Sequence, residues 1–279
     1  MTQALPMHSV VAGMAQQGSV YPTGFPPLDR QLRGGGLRSK RILVIAGPPE
    51  AGKTTLAVQI AYCMASQLFL GTAALFADEG REQAVVRMGQ QMGFDRDLLE
   101  AGDVDTVARL AQRMGSVELL FDNPQAQDSG AERLVKVVDM LDKRQPRVLV
   151  IDSAQRVLVR PHAGSWRPDK RTEVSDLMGY LRKVSNEKDL IVILTSQVSR
   201  DFYKARNETE RSSALASGAE SRAIEFESDV MVVLERPGGN GIGRGTLEKN
   251  RLKSGPVSGP FYVRMNYPRA RLEEVSDED

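Results

Sequence analysis

At 279 residues and 41% hydrophobic content the chain can bury a sizeable core, as one large α/β domain or two small ones, and we read one. Its 37 basic and 36 acidic side chains leave a net charge of +1, which excludes a global polyanion-binding surface and confines nucleic-acid contacts to local patches. A single cysteine, Cys63, excludes an internal disulfide framework; with no apolar run near the roughly 18 residues that span a bilayer and no signal-peptide pattern, the expectation is a soluble, cytoplasmic protein without membrane contact.

Residues 1–20 carry Val10, Val11 and Met14 at helical spacing and predict a short arm or linker helix. Irregular chain follows, from Tyr21 through Asp29 to the glycine cluster Gly34–Gly36. An apolar run, Ile42 to Ala46, then leads into Gly47-Pro48-Pro49-Glu50-Ala51-Gly52-Lys53-Thr54, and a helical pattern begins near Thr55. This octapeptide fits G-x-x-x-x-G-K-[ST] and has the strand–loop–helix context that a phosphate-binding loop requires. Backbone N–H groups of such a loop point inward as an anion-binding concavity, and the helix N-terminus adds partial positive charge. Lys53 is expected to reach the β- and γ-phosphates and Thr54 to offer its hydroxyl to Mg²⁺, with Thr55 completing the nucleotide contacts.

Short apolar runs recur at 73–77, 117–121, 148–151, 190–195 and 230–234, separated by helical spacing at 83–93, 103–115, 130–143 and 172–187. Alternating strands and helices imply a mostly parallel sheet covered on both faces. Near the C-terminus, Thr246–Arg251 and Pro260–Met265 flank a Gly/Pro-rich turn, so a hairpin of antiparallel strands is expected at one sheet edge. The reading is an N-terminal arm over 1–20, one domain over 21–272, and an acidic, disordered tail over 273–279.

Three of these strands end in polar residues suited to nucleotide chemistry. The run Arg147–Ile151 ends in Asp152, the pattern that sets a carboxylate beside a magnesium bound by Thr54. Ala74–Ala77 ends in Asp78-Glu79, either of which could deprotonate water opposite a leaving phosphate or cap the helix that starts near Arg81. Leu190–Ser196 ends in Gln197, which either senses a γ-phosphate or satisfies backbone groups at the strand end.

Taken in order, Thr23-Gly24-Phe25-Pro26-Pro27-Leu28-Asp29, the phosphate loop, the acid pair, the Asp152 strand, Arg171-Thr172-Glu173-Val174 and Leu194–Arg200 resemble the RecA-like ATPase core. The similarity is greatest to the C-terminal motor domain of DnaB-type replicative helicases. Ala223-Ile224-Glu225-Phe226-Glu227-Ser228-Asp229-Val230 resembles their Ala-Ile-Glu-Gln-Asp-Ala-Asp-Val, and Lys249-Asn250-Arg251 before Ser254-Gly255-Pro256 resembles their Lys-x-Arg with its Gly/Pro turn. The resemblance, over about 20–272, implies ATP and Mg²⁺ as cofactors, Glu79 as the catalytic base, and Lys249 and Arg251 as cations given to the γ-phosphate of an adjacent subunit. It also implies a homo-oligomer, a hexameric ring, on single-stranded DNA, with a primase or loader as partner. DnaB-type helicases carry an N-terminal collar domain, where here about 20 residues precede the core.

In ring motors of this kind two connecting segments line the channel. Between Ser153 and Arg171 this chain has Arg156, Arg160, Arg167, Lys170 and Arg171 against Asp169, a local charge of +4 suited to phosphate contacts. Between Val198 and Ser212 stand Arg200, Lys204, Arg206 and Arg211 against three acids; Trp166, Phe202 and Tyr203 are candidates for base stacking. A solvated surface loop is the competing reading of both segments. The alternative in function is a RadA- or KaiC-like ATPase that unwinds nothing, and fold alone does not separate the two.

Overall fold

The computed structural model describes residues 19–122, 129–141, 147–157, 170–197, 224–252 and 259–275. Elements alternate as the spacing predicts: α1 (Pro26–Asp29), β1 (Arg41–Gly47), α2 (Lys53–Ser66), β2 (Thr72–Phe76), α3 (Arg81–Gln91), α4 (Arg96–Glu100), α5 (Val104–Met114), β3 (Leu119–Phe121), α6 (Gly130–Met140), β4 (Arg147–Asp152), α7 (Ala154–Val157) and α8 (Lys170–Glu187). Then come β5 (Leu190–Gln197), β6 (Val230–Leu234), β7 (Ile242–Asn250), β8 (Phe261–Asn266) and β9 (Arg271–Glu274). They form one sheet in the order β3-β2-β4-β5-β1-β6-β7-β8-β9, parallel from β3 to β6 and antiparallel from β7 onward.

The central strands are apolar throughout because both faces are covered. Successive residues of β1 serve opposite layers: Leu43 and Ile45 pack with Leu56, Ile60 and Met64 of α2, whereas Ile42 and Val44 pack with Val137 of α6 and Leu177 and Leu181 of α8. Strand β7, by contrast, alternates buried Gly243, Gly245 and Leu247 with more exposed neighbours, as expected where one face meets solvent. Cys63 is a buried apolar residue of α2. Among the described residues no helix is long and apolar enough to cross a membrane.

The expected antiparallel hairpin forms at the sheet edge, with β7 paired to β8 over Ile242–Gly245 against Phe261–Arg264. Its bounds need correction, since β7 starts at Ile242, four residues before Thr246, and so does the extent of the tail. Pro260 has no N–H to extend the ladder with β8, while the other edge of β7 pairs with β6 from Gly245 to Asn250. Glu273 and Glu274 are not disordered tail: they complete β9, opposite Arg264 and Val263. The anchor is Leu272, 3% exposed, whose N–H donates to Gln59 Oε1 at 3.1 Å, and Val275 N–H continues to the Tyr262 carbonyl at 3.0 Å. The arm over 1–18 and the last four residues lie outside the described residues.

Candidate nucleotide site

The sheet delivers the chemistry to one edge. Parallel strands β1, β2, β4 and β5 all end at the same rim, and their last residues or the turns after them are the polar positions singled out above. Register places Gly47, first residue of the phosphate loop, beside Gln197, and Phe76 beside Asp152.

The loop is built for close approach. A Cβ on Gly47 would lie 2.4 Å from the Leu234 carbonyl oxygen, and Gly52 takes φ +86° as the N-cap of α2, with no side chain to occupy the first-turn N–H groups. Those groups and the 14-residue helix behind them offer an anion their partial positive charge. Lys53 Nζ donates to the Pro48 carbonyl at 2.5 Å, turned back over its own loop. Burial holds the Lys53 ammonium below its usual range, with Asp152 and then Asp78 opposing the shift, so a cation lacking full solvation faces the site where phosphate would sit. Glu50, Ala51, Lys53, Thr54 and Thr55 line a cleft of about 410 Å³ together with Met265, Tyr267 and Leu272. Arg236 straps the loop from the end of β6, donating to the Pro49 carbonyl at 3.3 Å and pairing with Glu50.

Asp152 is 2% exposed and accepts from two hydroxyls: Thr54 Oγ1 at 2.9 Å on Oδ2, and Thr195 Oγ1 on Oδ1. Burial pushes its carboxyl up; the two hydroxyl bonds counter that, and the charges of Asp78 and Glu79 add to it. Among the described residues no three His, Cys, Asp or Glu side chains cluster tightly enough to hold a metal by themselves. The Thr54 hydroxyl and the Asp152 carboxylate beside it fit the sparse protein shell of a Mg²⁺ that keeps water and substrate phosphates as its other ligands. The Asp152 carboxyl therefore binds a proton more readily folded than unfolded, so its ionised form costs stability above that raised range, and the cost fades as pH falls through it. Asp152→Asn is expected to keep or raise Tm at pH 7.5 while lowering ATP turnover, a stability–activity exchange checked by calorimetry beside a phosphate-release assay.

The two acids after β2 part company. Asp78 accepts from Ser153 Oγ at 3.0 Å and Arg156 Nε at 2.5 Å and faces a second cavity, beside Gln155, Arg156 and Gln197. Glu79 opens on the phosphate-loop cleft and is ion-paired with Arg87 of α3. Helix α3 starts from Gly80 with no side-chain cap, so neither acid serves as its N-cap. Gln197 shares its cavity with Asp78, and its N–H meets Gln155 Oε1 at 3.4 Å.

Lys249 and Arg251 lie elsewhere. Lys249 Nζ donates to the carbonyls of Glu225 and Phe226, and Arg251 Nη2 reaches the same Phe226 carbonyl at 2.8 Å. The Arg251 N–H bonds the Asp229 carbonyl at 2.8 Å, and Asp229 N–H in turn bonds the Ile42 carbonyl at 3.0 Å, near the start of β1. Five residues of strand, roughly 16 Å at ~3.3 Å per residue, separate that level from Gly47. The pair thus stands at the end of the sheet remote from its own phosphate loop. Of the candidates for nucleic acid, Arg156 is engaged by Asp78 with its side chain still 60% exposed, and Lys170 and Arg171 open α8, where only their backbone is described. Arg160, Arg167, Arg200, Lys204 and Arg206 lie outside the described residues, as do Trp166, Phe202 and Tyr203.

Sequence reasoning missed Thr195, Arg87, Arg236 and the apolar wall of Met265, Tyr267 and Leu272. Thr195 was within reach, since it stands two residues before Gln197 on a strand neighbouring Asp152.

Comparison with known proteins bears on the family and the fold. Residues 21–251 match the family model described as DnaB-like helicase C terminal domain. The chain is 27% identical over 222 residues to the replicative DNA helicase DnaC of Bacillus subtilis, covering 77% of this chain and 47% of that protein. It is also 27% identical over 251 residues to the DNA repair and recombination protein RadB of Halobacterium salinarum, covering 90% of this chain and 94% of that one. The chain spans about half the length of the replicative helicases it matches. Among solved structures, a DnaB-like replicative helicase studied with primase superposes with TM-score 0.72 at 19% identity, over 97% of this chain and 67% of that one. The RadB recombinase gives a TM-score of 0.58 at 20% identity, over 91% of this chain and 99% of that one.

Proposed function

The chain belongs to the DnaB-like helicase C-terminal domain family, with a RecA-like fold, and from that footing we propose that it is an oligomeric, Mg²⁺-dependent ATPase that couples hydrolysis at subunit interfaces to movement along single-stranded DNA. The observation that carries this reading is the separation of the two cationic groups. Lys53 and the loop amides stand at one end of the sheet, Lys249 and Arg251 at the other, an arrangement in which a cation pair serves a nucleotide only on another copy.

In this reading Lys53, Thr54 and the amides of 47–55 hold ATP, with Asp152 fixing the Thr54 hydroxyl and supporting Mg²⁺, which would neutralise charge on the phosphate oxygens. Met265 and Tyr267 offer apolar surface to the base. Glu79, opening on the cleft, orients and deprotonates water, and Arg87 must release or share it for that proton to be taken. Lys249 and Arg251 complete the neighbour's site. Gln197, level with Gly47, would pass γ-phosphate loss to the segment after it, and the cations of 156–171 and 200–206 would grip the strand.

A second reading has one observation of its own: the match to RadB runs over nearly the whole of both chains, whereas the replicative helicases are matched over half their length. A recombination-associated ATPase, or a RadA- or KaiC-like regulator, would use the same core without unwinding. Phosphate release with and without an oligo(dT) long enough to cross the assembly separates them. A motor predicts stimulation of about tenfold or more that falls steeply between roughly 50 and 200 mM salt, because counterion release drives the contact. No stimulation at any salt would favour the regulator, and stimulation without strand separation of a forked duplex would favour the recombination role.

A further inference from the structure

The Lys249–Arg251 pair rests on the helical turn 224–227, and the residue at its contact point is unusual for the place it holds. Phe226 is 71% exposed, a large apolar ring left in solvent. The Arg251 guanidinium carbon lies 5.8 Å from its ring centroid, within cation–π range, while the Phe226 carbonyl accepts from both Arg251 Nη2 at 2.8 Å and Lys249 Nζ at 3.0 Å. The aligned position of the helicase segment quoted above is Gln, which has no aromatic ring.

The base beneath the turn is firm. Ser228 Oγ donates to the Glu225 carbonyl at 2.9 Å, and Asp229, 3% exposed, accepts from Arg182 Nη1 and from the Ile42 N–H, both at 2.9 Å. An exposed ring on so well tied a turn is not held there by the core. Burial pulls the Lys249 ammonium below its usual range and Arg251 beside it does so further, while the charges of Glu225, Asp229 and Glu227 oppose the shift; the Phe226 carbonyl is the point where the two cations meet.

We propose that Phe226 is the positioning residue of the Lys249–Arg251 pair: its carbonyl gathers the two cations and its ring fixes the plane of the Arg251 guanidinium, so that a bidentate donor is presented toward the nucleotide of a second copy of this chain. The inference rests on the shared-site reading above. The exposed ring is then apolar surface that the second copy covers, and Phe226 acts through Arg251 without touching the reacting atoms itself.

The experiment mixes two inactive variants. Lys53→Ala subunits retain the cation pair and Arg251→Ala subunits retain the phosphate loop, so hydrolysis returns where they adjoin. Phe226→Leu placed in the Lys53→Ala partner should lower the restored kcat about 2- to 30-fold, the range of a cation–π contact at exposed to desolvated sites, with KM for ATP unchanged. Placed in the Arg251→Ala partner it should change nothing. Phe226→Trp in the Lys53→Ala partner should keep full restoration, because the indole face binds cations at least as well. Equal loss from either placement would assign the ring a merely structural role, and full restoration with Phe226→Leu in the Lys53→Ala partner would overturn the proposal outright. If the parent mixture restores nothing, the shared site itself fails and the proposal falls with it.

Discussion

Arg251→Ala is expected to lower ATP turnover by about 10³- to 10⁵-fold in a homogeneous preparation, the range measured when a cation supplied across an interface is removed from phosphoryl transfer. The charge that builds on the transferring phosphoryl group in the transition state has to be met by donors already in place, since water entering the site would screen them. In the proposed site Lys53 is such a donor within one chain, and Arg251 is not. It sits level with Asp229 and Ile42, toward the opposite end of strand β1 from Gly47. Nucleotide affinity should change little, because the phosphate loop and Asp152 are untouched. The measurement is single-turnover phosphate release beside equilibrium binding of a fluorescent ATP analogue. Adding Lys53→Ala subunits should return part of the activity, as alternating good and bad sites form, whereas a variant inactive in every mixture would place Arg251 inside its own chain's fold instead.

Glu79→Gln should bind ATP normally and lose turnover by about 10²- to 10⁴-fold, the contribution of a positioned general base. Its neighbour supplies the internal control. Asp78 is tied to Ser153 and Arg156 and faces the adjoining cavity, so Asp78→Asn should leave most hydrolysis intact and act on whatever couples that cavity to the segment after Gln197. Reversed outcomes, with Asp78→Asn inert and Glu79→Gln active, would move the base to Asp78. Asp78 does act on Lys53 electrostatically, so the comparison is a genuine contest between adjacent residues.

The parts of this site legible in the sequence are those with a local signature. Gly47 to Thr54 is a contiguous motif whose chemistry lies in its own backbone, and Asp152, Glu79 and Gln197 each follow an apolar run, so their place at a common rim follows from parallel pairing alone. Arg87 and Arg236 have no such mark. Each takes its position through a long-range packing choice, α3 folding back along β2 and the chain leaving β6 over the loop, and surface arginines are too common for spacing to single one out. The tail misleads for a related reason: Glu273 and Glu274 look like the start of an acidic run, yet one apolar residue, Leu272, tucked against Gly52 and bonded to Gln59, is enough to hold them in the sheet. The start of β7 is hard to place because the Gly/Pro-rich turn marks an arm over 246–251, whereas the glycines at 243 and 245 let Val263 and Phe261 pack close against a strand that begins earlier.

The central claim is that no single copy contains a complete catalytic site. Its most direct test is ATP turnover per chain as a function of protein concentration, with particle mass followed on the same samples by light scattering. The account predicts that turnover per chain collapses on dilution together with mass, reaching background where only monomers remain. A monomer that hydrolyses ATP at the undiluted rate would contradict it.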